Sequence, residues 1–309
     1  MTTEFEVRAG SGLAVGSETS GRAGGPAWVP KLVVSDLDGT FLSPDGTVSP
    51  TNAAAVRAAE AAGLPVLFAT GRPVRWLDVI RGLPGAHPTV IASNGAVLFD
   101  LGEGRMLDRI CIDPAVALQA VADIRRAAPG AAFSFESGTT FGYEAAYRLR
   151  VVDDGSDPVL VRGEVEALAA QGDAVKMLVQ HLRMSSDELL ERVRDAVADT
   201  LTVTHSAGLA HGLVEVSAPG VSKASMLQRI CAGLGLQAAD VAAFGDMPND
   251  LDMLTFAGMP HVVANAHPLL LDGRYQVVPG NDRSGVGRTI LDWVAAARSS
   301  NGPLPTLNA

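Results

Sequence analysis

The sequence predicts an α/β fold built around a parallel β-sheet, with an α+β module inserted into it. Short apolar runs alternate with segments of helical periodicity from Lys31 to about residue 96, and the same alternation resumes after residue 216. Such alternation is typical of βαβ units around a parallel sheet. Between these two parts, turns separate the runs in a pattern that favours mixed hairpins and helices. One domain is therefore expected to be split by another.

Three strands and two helices are predicted in the first part of the sheet domain. The strands are LVVSD, PVLFATG and TVIASNG. The Ala-rich segment SPTNAAAVRAAEAAG is predicted to be helical, with Ser49 or Thr51 as its N-cap and Gly63 near its end. The segment PVRWLDVIRGL is predicted to be a second helix, with Pro73 in its first turn, where proline is tolerated.

The inserted module and the return to the sheet follow from the same patterns. In the insert, the helical stretches PAVALQAVADIRRAA and SSDELLERVRDAVADT lie among the strand-like runs VLFD, RMLDRICI, AAFSFES, AVKMLVQHL, LTVTHSA and GLVEVSA. After it, VAAFGD and HVVANA are strand-like, whereas VSKASMLQRICAGLG and NDLDMLTFAG are helical. We therefore predict a discontinuous core at residues 30–96 and 217–298, an inserted domain at residues 97–216, and flexible tails at residues 1–29 and 299–309.

Composition limits the class of partner. The chain has 309 residues, of which 47% are hydrophobic and 19% are charged, as expected for a globular protein. The formal net charge of −10 argues against a nucleic-acid partner, which normally meets a basic surface. It is compatible with a phosphorylated substrate, because a bound divalent cation can reverse the sign of the charge within one cleft.

A cytoplasmic location is expected. The two cysteines, Cys111 and Cys231, exclude a disulfide framework and fit a reducing compartment. The N-terminus lacks the basic start and continuous apolar stretch of a secretory signal. No apolar run is long enough to predict a transmembrane helix, so no membrane partner is expected.

Polar and acidic residues follow several predicted strands. DLDGT (residues 36–40) follows the first, TGR (70–72) the second, SNG (93–95) the third and GDMPND (245–250) a later one, with Lys223 at a helix start upstream. In an open parallel sheet the ligand crevice lies at the carboxyl ends of the strands, so these residues are expected to meet there. Carboxylates without a neighbouring His or Cys predict a site for a hard cation, Mg²⁺. A cation beside phosphate-sized donors indicates phosphoryl transfer.

Residue spacing argues against two other kinds of metal site. Read as a calcium-binding loop starting at Asp36, the sequence would place Phe41 where Gly is required and Thr47 where Glu is required. The histidines lack the spacing of a zinc site, and most are expected to be structural or exposed. They are His87, His181, His205, His211, His261 and His267.

The motifs DLDGT, ATGR, GVSKASML and GDMPND, in this order, resemble the four motifs of the haloacid dehalogenase superfamily of phosphatases. The resemblance covers residues 31–298, and the insert is similar to the cap of the Cof-like subfamily. It is specific because four motifs agree in order, spacing and strand context. The resemblance implies a Rossmann-like parallel sheet core with an inserted α+β cap domain.

The resemblance also implies a role for each matched residue. Asp36 would be the nucleophile, and Asp38 would protonate the leaving alcohol and then activate water. Mg²⁺ would be held by the carboxylates of Asp36 and Asp246 and the main-chain carbonyl of Asp38, with Asp250 assisting directly or through another ligand. The groups expected to hold the phosphoryl oxygens are the amides near Leu37 and Gly71 and the side chains of Thr70, Lys223 and Asn249.

The predicted function is that of a Mg²⁺-dependent phosphatase acting on a small phosphorylated metabolite. The resemblance favours sugar phosphates, with nucleotide or pyridoxal phosphates as alternatives. A sugar phosphomutase of the same superfamily is a second hypothesis, and a protein that binds a phosphometabolite without turnover is a third. The intact Asp36, Asp38, Lys223 and Asp246 weigh against the third.

Several assignments stay open at this level. Asn94 either caps the turn after its strand or reaches the substrate. The aromatic residues of the insert favour a role in its core over a substrate shelf; they are Phe133, Phe135, Phe141, Tyr143 and Tyr147. The sequence does not decide whether the turn at residues 136–138 faces the cleft. Substrate identity and oligomeric state are also open.

Overall fold

The structure is a computed structural model that describes residues 29–149, 157–197, 200–206 and 211–299. Nearly all of the two tails, expected at residues 1–29 and 299–309, falls outside these ranges. Across the described residues, no helix combines the length and the apolar character needed to span a lipid bilayer.

The described residues form fourteen strands, numbered in chain order. They are β1 (Leu32–Ser35), β2 (Val66–Ala69), β3 (Ala86–Ala92), β4 (Val97–Asp100), β5 (Arg105–Arg109), β6 (Ala132–Glu136), β7 (Phe141–Tyr143), β8 (Leu160–Arg162), β9 (Lys176–His181), β10 (Thr202–Thr204), β11 (Gly212–Ser217), β12 (Val241–Gly245), β13 (Met259–Val263) and β14 (Gln276–Val278).

The same residues form seven α-helices. They are α1 (Pro50–Ala61), α2 (Pro114–Ala127), α3 (Val165–Ala169), α4 (Ser186–Val197), α5 (Lys223–Leu234), α6 (Leu251–Phe256) and α7 (Gly285–Ser299).

Eight strands form the sheet of the core, in the order β14-β13-β12-β1-β2-β3-β4-β5. The strands from β14 to β3 pair in parallel, and β1 lies at the centre of this parallel part, between β12 and β2. The loops after β1, β2, β3 and β12 therefore meet at one edge, as the sequence predicted. The predicted α/β class with a parallel sheet core is confirmed.

Strands β4 and β5 differ from the prediction. The runs VLFD and RMLDRICI had been predicted within the insert, but β4 and β5 pair antiparallel with β3 and with each other and so extend the core sheet. An antiparallel edge on an otherwise parallel sheet breaks the βαβ alternation, which is why the pattern pointed to the insert. The change of sheet therefore lies beyond residue 109 and not at residue 97.

The remaining six strands form the sheet of the cap, residues 112–217, in the order β10-β11-β9-β6-β7-β8. All neighbouring pairs are antiparallel except β7 and β8. The apolar side chains of helices α2, α3 and α4 and of this sheet form a second core, separate from that of the larger sheet. Each sheet thus has its own apolar interior, as expected for two domains.

Helix α1 and helix α7 support the loop that follows β1. Ser49 caps α1 by accepting a hydrogen bond from the amide of Asn52, and Pro50 occupies the first turn. The buried Asn52 side chain donates to the carbonyl of Phe41 at 2.5 Å and accepts from the amide of Gly287 in α7 at 3.0 Å. One side chain therefore ties the end of the DLDGTF loop to two helices.

The helix predicted over PVRWLDVIRGL is a short 3₁₀ turn, Val74–Val79, and not an α-helix. Trp76 has non-helical dihedral angles, φ −107° and ψ 15°. Its carbonyl oxygen accepts a hydrogen bond from Arg72 Nη1 at 3.1 Å and not from a main-chain amide of an α-helix. Valine and tryptophan also have weak helix propensity.

Candidate active site

The DLDGT loop sends its two acids into different surroundings. Asp36 follows β1 directly, is only 5% exposed, and donates its amide to the carbonyl of Phe244 at the end of β12. The side chain of Asp38 is 53% exposed. Gly39, the residue after Asp38, has φ +80°, and a Cβ added there would lie 2.2 Å from Asp246 Oδ2. Glycine is thus required at this position both for the backbone angle and for space.

Lys223 is fully buried, so it is not the surface lysine that its residue type would favour. It is the first residue of α5, which Ser222 caps in a reciprocal pair with Ser225. Its Nζ lies 2.6 Å from Asp36 Oδ1 and 2.6 Å from Asp250 Oδ1. Burial alone would lower the pKa of Lys223, but the two carboxylates raise it above its ordinary value, which keeps the ammonium charged.

The GDMPND loop, after β12, places two further acids. Asp246 Oδ1 accepts a hydrogen bond from the hydroxyl of Thr40 at 2.7 Å, which joins the loops after β1 and β12. Asp250 is fully buried, and its Oδ2 accepts from the amides of Asp246 and Met247, each at 3.0 Å. With Lys223 on Oδ1, both carboxylate oxygens of Asp250 are engaged in holding the loop and the lysine.

Two of these acids have carboxylate oxygens available for a divalent cation. Asp36, Asp246 and Asp250 each offer an oxygen within 4.8 Å of the others. Asp36 Oδ2 and Asp246 Oδ2 accept no hydrogen bond from the described residues, so these oxygens are available as ligands. Burial, opposed by Lys223, raises the pKa of Asp36 well above its ordinary value. Burial and the charge of Asp250 raise the pKa of Asp246 to about 7. A hard cation bound by the carboxylate oxygens would offset the repulsion between these negative charges.

Arg72 holds Asp38 by two hydrogen bonds. Its Nε lies 2.7 Å from Asp38 Oδ2 and its Nη2 lies 2.6 Å from Asp38 Oδ1. Such a bidentate pair fixes the orientation of the carboxylate as well as its charge. Arg72 follows Thr70 and Gly71 in the motif after β2, but the sequence had not placed it among the site residues.

The residues expected to hold phosphoryl oxygens lie around these acids. Thr70 directly follows β2 and is fully buried. Its Oγ1 accepts a hydrogen bond from the amide of Arg72 at 3.1 Å. The carbonyl of Gly71 accepts from the cap residue Lys176 at 2.7 Å. Asn249 lies in the GDMPND loop and donates one amide hydrogen to Asn94 Oδ1 at 3.0 Å, while its own buried Oδ1 has no partner in the described part of the chain. Leu37 follows Asp36 with a fully buried side chain.

Asn94, whose role the sequence left open, lies in a tight turn and makes two side-chain hydrogen bonds. Ser93 and Asn94 both adopt positive φ, 49° and 58°, in a tight turn after β3. Non-glycine residues rarely take such angles, and they concentrate at functional sites. The Asn94 side chain accepts from Asn249 and donates to Glu215 Oε2 at 3.0 Å. Its side chain therefore links the GDMPND loop to the cap.

Two ion pairs line the cap side of the cleft. Lys176 Nζ and Glu215 Oε1 are 2.5 Å apart, and both side chains are nearly fully buried. Burial would raise the pKa of Glu215, but Lys176 and hydrogen bonds lower it below its ordinary value. Glu136 Oε2 lies 2.5 Å from Arg75, which belongs to the core. Of the turn at residues 136–138, Glu136 therefore faces the cleft.

Between core and cap lies a cavity of about 720 Å³. Its lining includes both candidate catalytic acids, Asp36 and Asp38, and cap residues such as Phe141, Tyr147 and Gln180. The aromatic group of the insert is thus divided, because Phe133 and Phe135 pack in the cap core instead. The volume suits a small-molecule ligand.

Sequence reasoning missed Lys176, Glu215, Arg75 and Arg72. A weak signal existed for Glu215, since an acid interrupts the otherwise apolar run GLVEVS of β11. Lys176 carried a similar signal, since a lysine interrupts the apolar run AVKMLV at the start of β9.

Comparison with known proteins relates the chain to hydrolases. The profile of the haloacid dehalogenase-like hydrolases matches residues 33–290. Over 266 residues the chain is 27% identical to the phosphoglycolate phosphatase of Methanothermobacter thermautotrophicus, an alignment that covers 85% of this chain and 100% of that protein.

Solved structures agree in fold. BT1666 from Bacteroides thetaiotaomicron, a phosphatase of the haloalkanoate superfamily, gives a TM-score of 0.71 at 22% identity, covering 89% of this chain and 99% of that one. The subclass IIB sugar phosphatase BT4131 gives a TM-score of 0.70 at 21% identity, covering 85% of this chain and 98% of that one.

Proposed function

Because this chain belongs to the haloacid dehalogenase-like hydrolase family, we propose that it is a Mg²⁺-dependent phosphatase that hydrolyses a small phosphorylated metabolite, with a sugar phosphate as the preferred class. One observation carries the proposal. Asp36 lines a ligand-sized cavity, pairs with the buried ammonium of Lys223 and lies close enough to the buried carboxylate of Asp246 for the two to hold one cation.

The proposed chemistry has two steps. In the first, a carboxylate oxygen of Asp36 forms a bond to phosphorus as the bond from phosphorus to the ester oxygen breaks, and Asp38, released from Arg72 and protonated, gives its proton to that leaving oxygen. In the second, the Asp38 carboxylate takes a proton from a water molecule whose oxygen attacks phosphorus, which frees Asp36 and inorganic phosphate.

Each remaining residue has a proposed task in binding. The carboxylates of Asp36 and Asp246 and the main-chain carbonyl of Asp38 would hold Mg²⁺, while Asp250, whose oxygens are both occupied, positions Lys223 and the loop. When bound, Mg²⁺ supplies positive charge that offsets the repulsion between a carboxylate nucleophile and a phosphate. The groups proposed to bind the phosphoryl oxygens are the amides near Leu37 and Gly71 and the side chains of Thr70, Lys223 and Asn249.

The preference for sugar phosphates rests on the cap side of the cavity. Glu136 and Glu215 supply buried acceptors there, and Arg75 and Lys176 supply donors beside them. Alternating donors and acceptors suit the hydroxyl groups of a sugar, each of which both donates and accepts. The similarity to a sugar phosphatase and to a phosphoglycolate phosphatase is in keeping with a small, polar leaving group.

A phosphate-release screen tests the proposal. The full chain is assayed on sugar, nucleotide, pyridoxal and two-carbon acid phosphates, with Mg²⁺ and with EDTA, beside Asp36→Asn. We expect Mg²⁺-dependent release, fastest on a sugar phosphate, and no turnover by an Asp36→Asn protein with an unchanged circular dichroism spectrum. An active Asp36→Asn enzyme would overturn the mechanism. Isomer interconversion without phosphate release would identify a mutase, and tight binding without turnover would identify a binding protein.

A further inference from the structure

A second cluster of metal-ligating side chains lies outside the active site, where the cap meets the core. Asp187 is in the first turn of α4 and His205 follows β10, so both belong to the cap. His267 belongs to the core and follows β13. One ligand atom from each of the three lies within 4.8 Å of the other two.

The Asp187 carboxylate already lies between the two imidazole rings. His205 Nε2 is 2.9 Å from Asp187 Oδ1, and His267 Nε2 is 3.7 Å from Asp187 Oδ2. The two ring centroids are 5.7 Å apart, with an angle of 74° between the planes. The three side chains thus converge from two domains on one point, although nothing in their sequence spacing suggests it.

His205 is the buried member of this group of three side chains. The residue is 1% exposed, and its Nδ1 has no hydrogen-bond partner among the residues that the structure describes. An unpartnered buried nitrogen is rare, because its desolvation is not compensated. Burial lowers the pKa of His205, which favours the neutral imidazole, the form that binds metals.

Metal binding requires a particular tautomer of each histidine. Ligation through Nε2 requires the ring hydrogen to be on Nδ1. For His205 the ion would take the place of the hydrogen bond between Nε2 and Asp187 Oδ1, 2.9 Å, and the hydrogen on Nδ1 would have no acceptor among the described residues. For His267 this tautomer gives up only the long bond, 3.3 Å, from the amide of Leu269 to Nδ1. The Asp187 side chain is 59% exposed and can turn its carboxylate toward an ion.

We propose that Asp187, His205 and His267 form a binding site for a divalent transition-metal ion, with Zn²⁺ as the best fit and the fourth position open to water. Two imidazoles and one carboxylate are the ligands that Zn²⁺ takes in open sites, whereas the all-oxygen set of Asp36 and Asp246 suits Mg²⁺. The bound ion would join cap to core.

This junction adjoins the active site. The amide of His267 donates to the carbonyl of Asp246 at 2.7 Å, so the core ligand is one hydrogen bond away from the GDMPND loop. A metal held by both domains would therefore favour the arrangement of cap and core described above. The site itself does not depend on the reaction proposed above, and its test does not require turnover.

Calorimetric titration of Zn²⁺ into the full-length protein tests the proposal. The titration is done in excess Mg²⁺ and in the Asp246→Asn background, so that binding at the active site does not supply the signal. We expect one Zn²⁺ per chain, and a loss of affinity of more than about tenfold in Asp187→Asn and in His267→Gln. His87→Gln is the matched control and should bind as its parent does.

Cobalt supplies an independent readout. Co²⁺ in place of Zn²⁺ should give the visible absorption of an imidazole-ligated ion in the Asp246→Asn protein, and this signal should disappear in the variants of Asp187 and His267. Both residues are partly exposed, so their substitution should leave the circular dichroism spectrum unchanged, unlike that of the buried His205. Absence of Zn²⁺ binding in the Asp246→Asn protein, or undiminished affinity in both ligand variants, would refute the site.

Discussion

Arg72 donates hydrogen bonds of 2.7 and 2.6 Å to the two carboxylate oxygens of Asp38, so the residue proposed to carry the proton is held by a neighbour from the loop after β2. The pair lies at the mouth of the cleft, where the Arg72 side chain is 20% exposed. Proton transfer to a leaving group requires this pair to separate, and its re-formation would restore the orientation of Asp38.

Replacement of Arg72 should therefore impair turnover less than replacement of Asp38. We expect Asp38→Asn to lower kcat by about 10²–10⁴-fold, the usual worth of a general acid and base. Arg72→Gln should lower it by roughly tenfold, since a positioning group affects only the orientation of the acid. Steady-state kinetics with p-nitrophenyl phosphate measure both, and Arg194→Gln on the exposed face of α4 is the control. Equal losses for Arg72→Gln and Asp38→Asn would contradict a mere positioning role.

The metal-free protein should become less stable as the pH rises through 7. The pKa of Asp246 is about 7 and that of Asp36 is also raised, so the folded state binds protons that the unfolded state has released. Stability from this source is complete below pH 4 and is lost as the pH rises past about 7, by a few kcal/mol. Urea unfolding in EDTA at pH 6 and pH 8 measures the loss.

The same experiment has two internal controls. Asp246→Asn should show a smaller loss between pH 6 and pH 8, whereas Asp252→Asn, at an exposed position, should behave as the wild type does. Mg²⁺ should restore stability at pH 8 more than at pH 6, because protons compete with the ion for Asp36 and Asp246. An identical pH dependence in wild type and Asp246→Asn would rule out this origin.

Two glycines with nearly equal backbone angles separate conformational cost from crowding. Gly39 has φ +80° and Gly46 has φ +78°, but a Cβ at Gly46 meets nothing within 4 Å, while one at Gly39 meets Asp246. Gly46→Ala should cost about 1–2 kcal/mol of unfolding free energy and leave kcat unchanged. Gly39→Ala should cost more and abolish turnover, because the added methyl displaces a proposed metal ligand. Urea titrations measure the unfolding free energy of both variants, and steady-state kinetics measure their kcat. Equal losses of stability and of kcat in the two variants would contradict the prediction.

The Lys176–Glu215 pair should be important both for stability and for substrate binding. Lys176→Met leaves Glu215 buried without its cation and should cost about 3–5 kcal/mol, most of which Lys176→Met/Glu215→Gln should recover. Recovery of stability without recovery of KM would identify these residues as part of the substrate pocket. Arg192→Gln, which breaks an exposed pair with Glu188, should cost less than about 1 kcal/mol. Full recovery of KM in the double variant would assign the pair a structural role only.

Much of the site could be read from the order of residues along the chain. Asp36, Thr70 and Asp246 each follow a strand of an alternating β and α pattern, and parallel topology carries such strand ends to the same edge. Helical periodicity is likewise a local property of the sequence, and it predicted the helices α1 and α5. The burial of Lys223 against Asp36 and Asp250 follows from the same convergence.

The cap side of the cleft depends on relationships that no local pattern encodes. Lys176 and Glu215 lie 39 residues apart and meet because β9 and β11 pair in one register, and that register also aims them at Gly71 and Asn94 in the core. Likewise, β4 joins the core sheet because a free edge of β3 is available to it. Strand pairing and domain docking are set by the total of packed surfaces and satisfied hydrogen bonds, which short stretches of sequence do not contain.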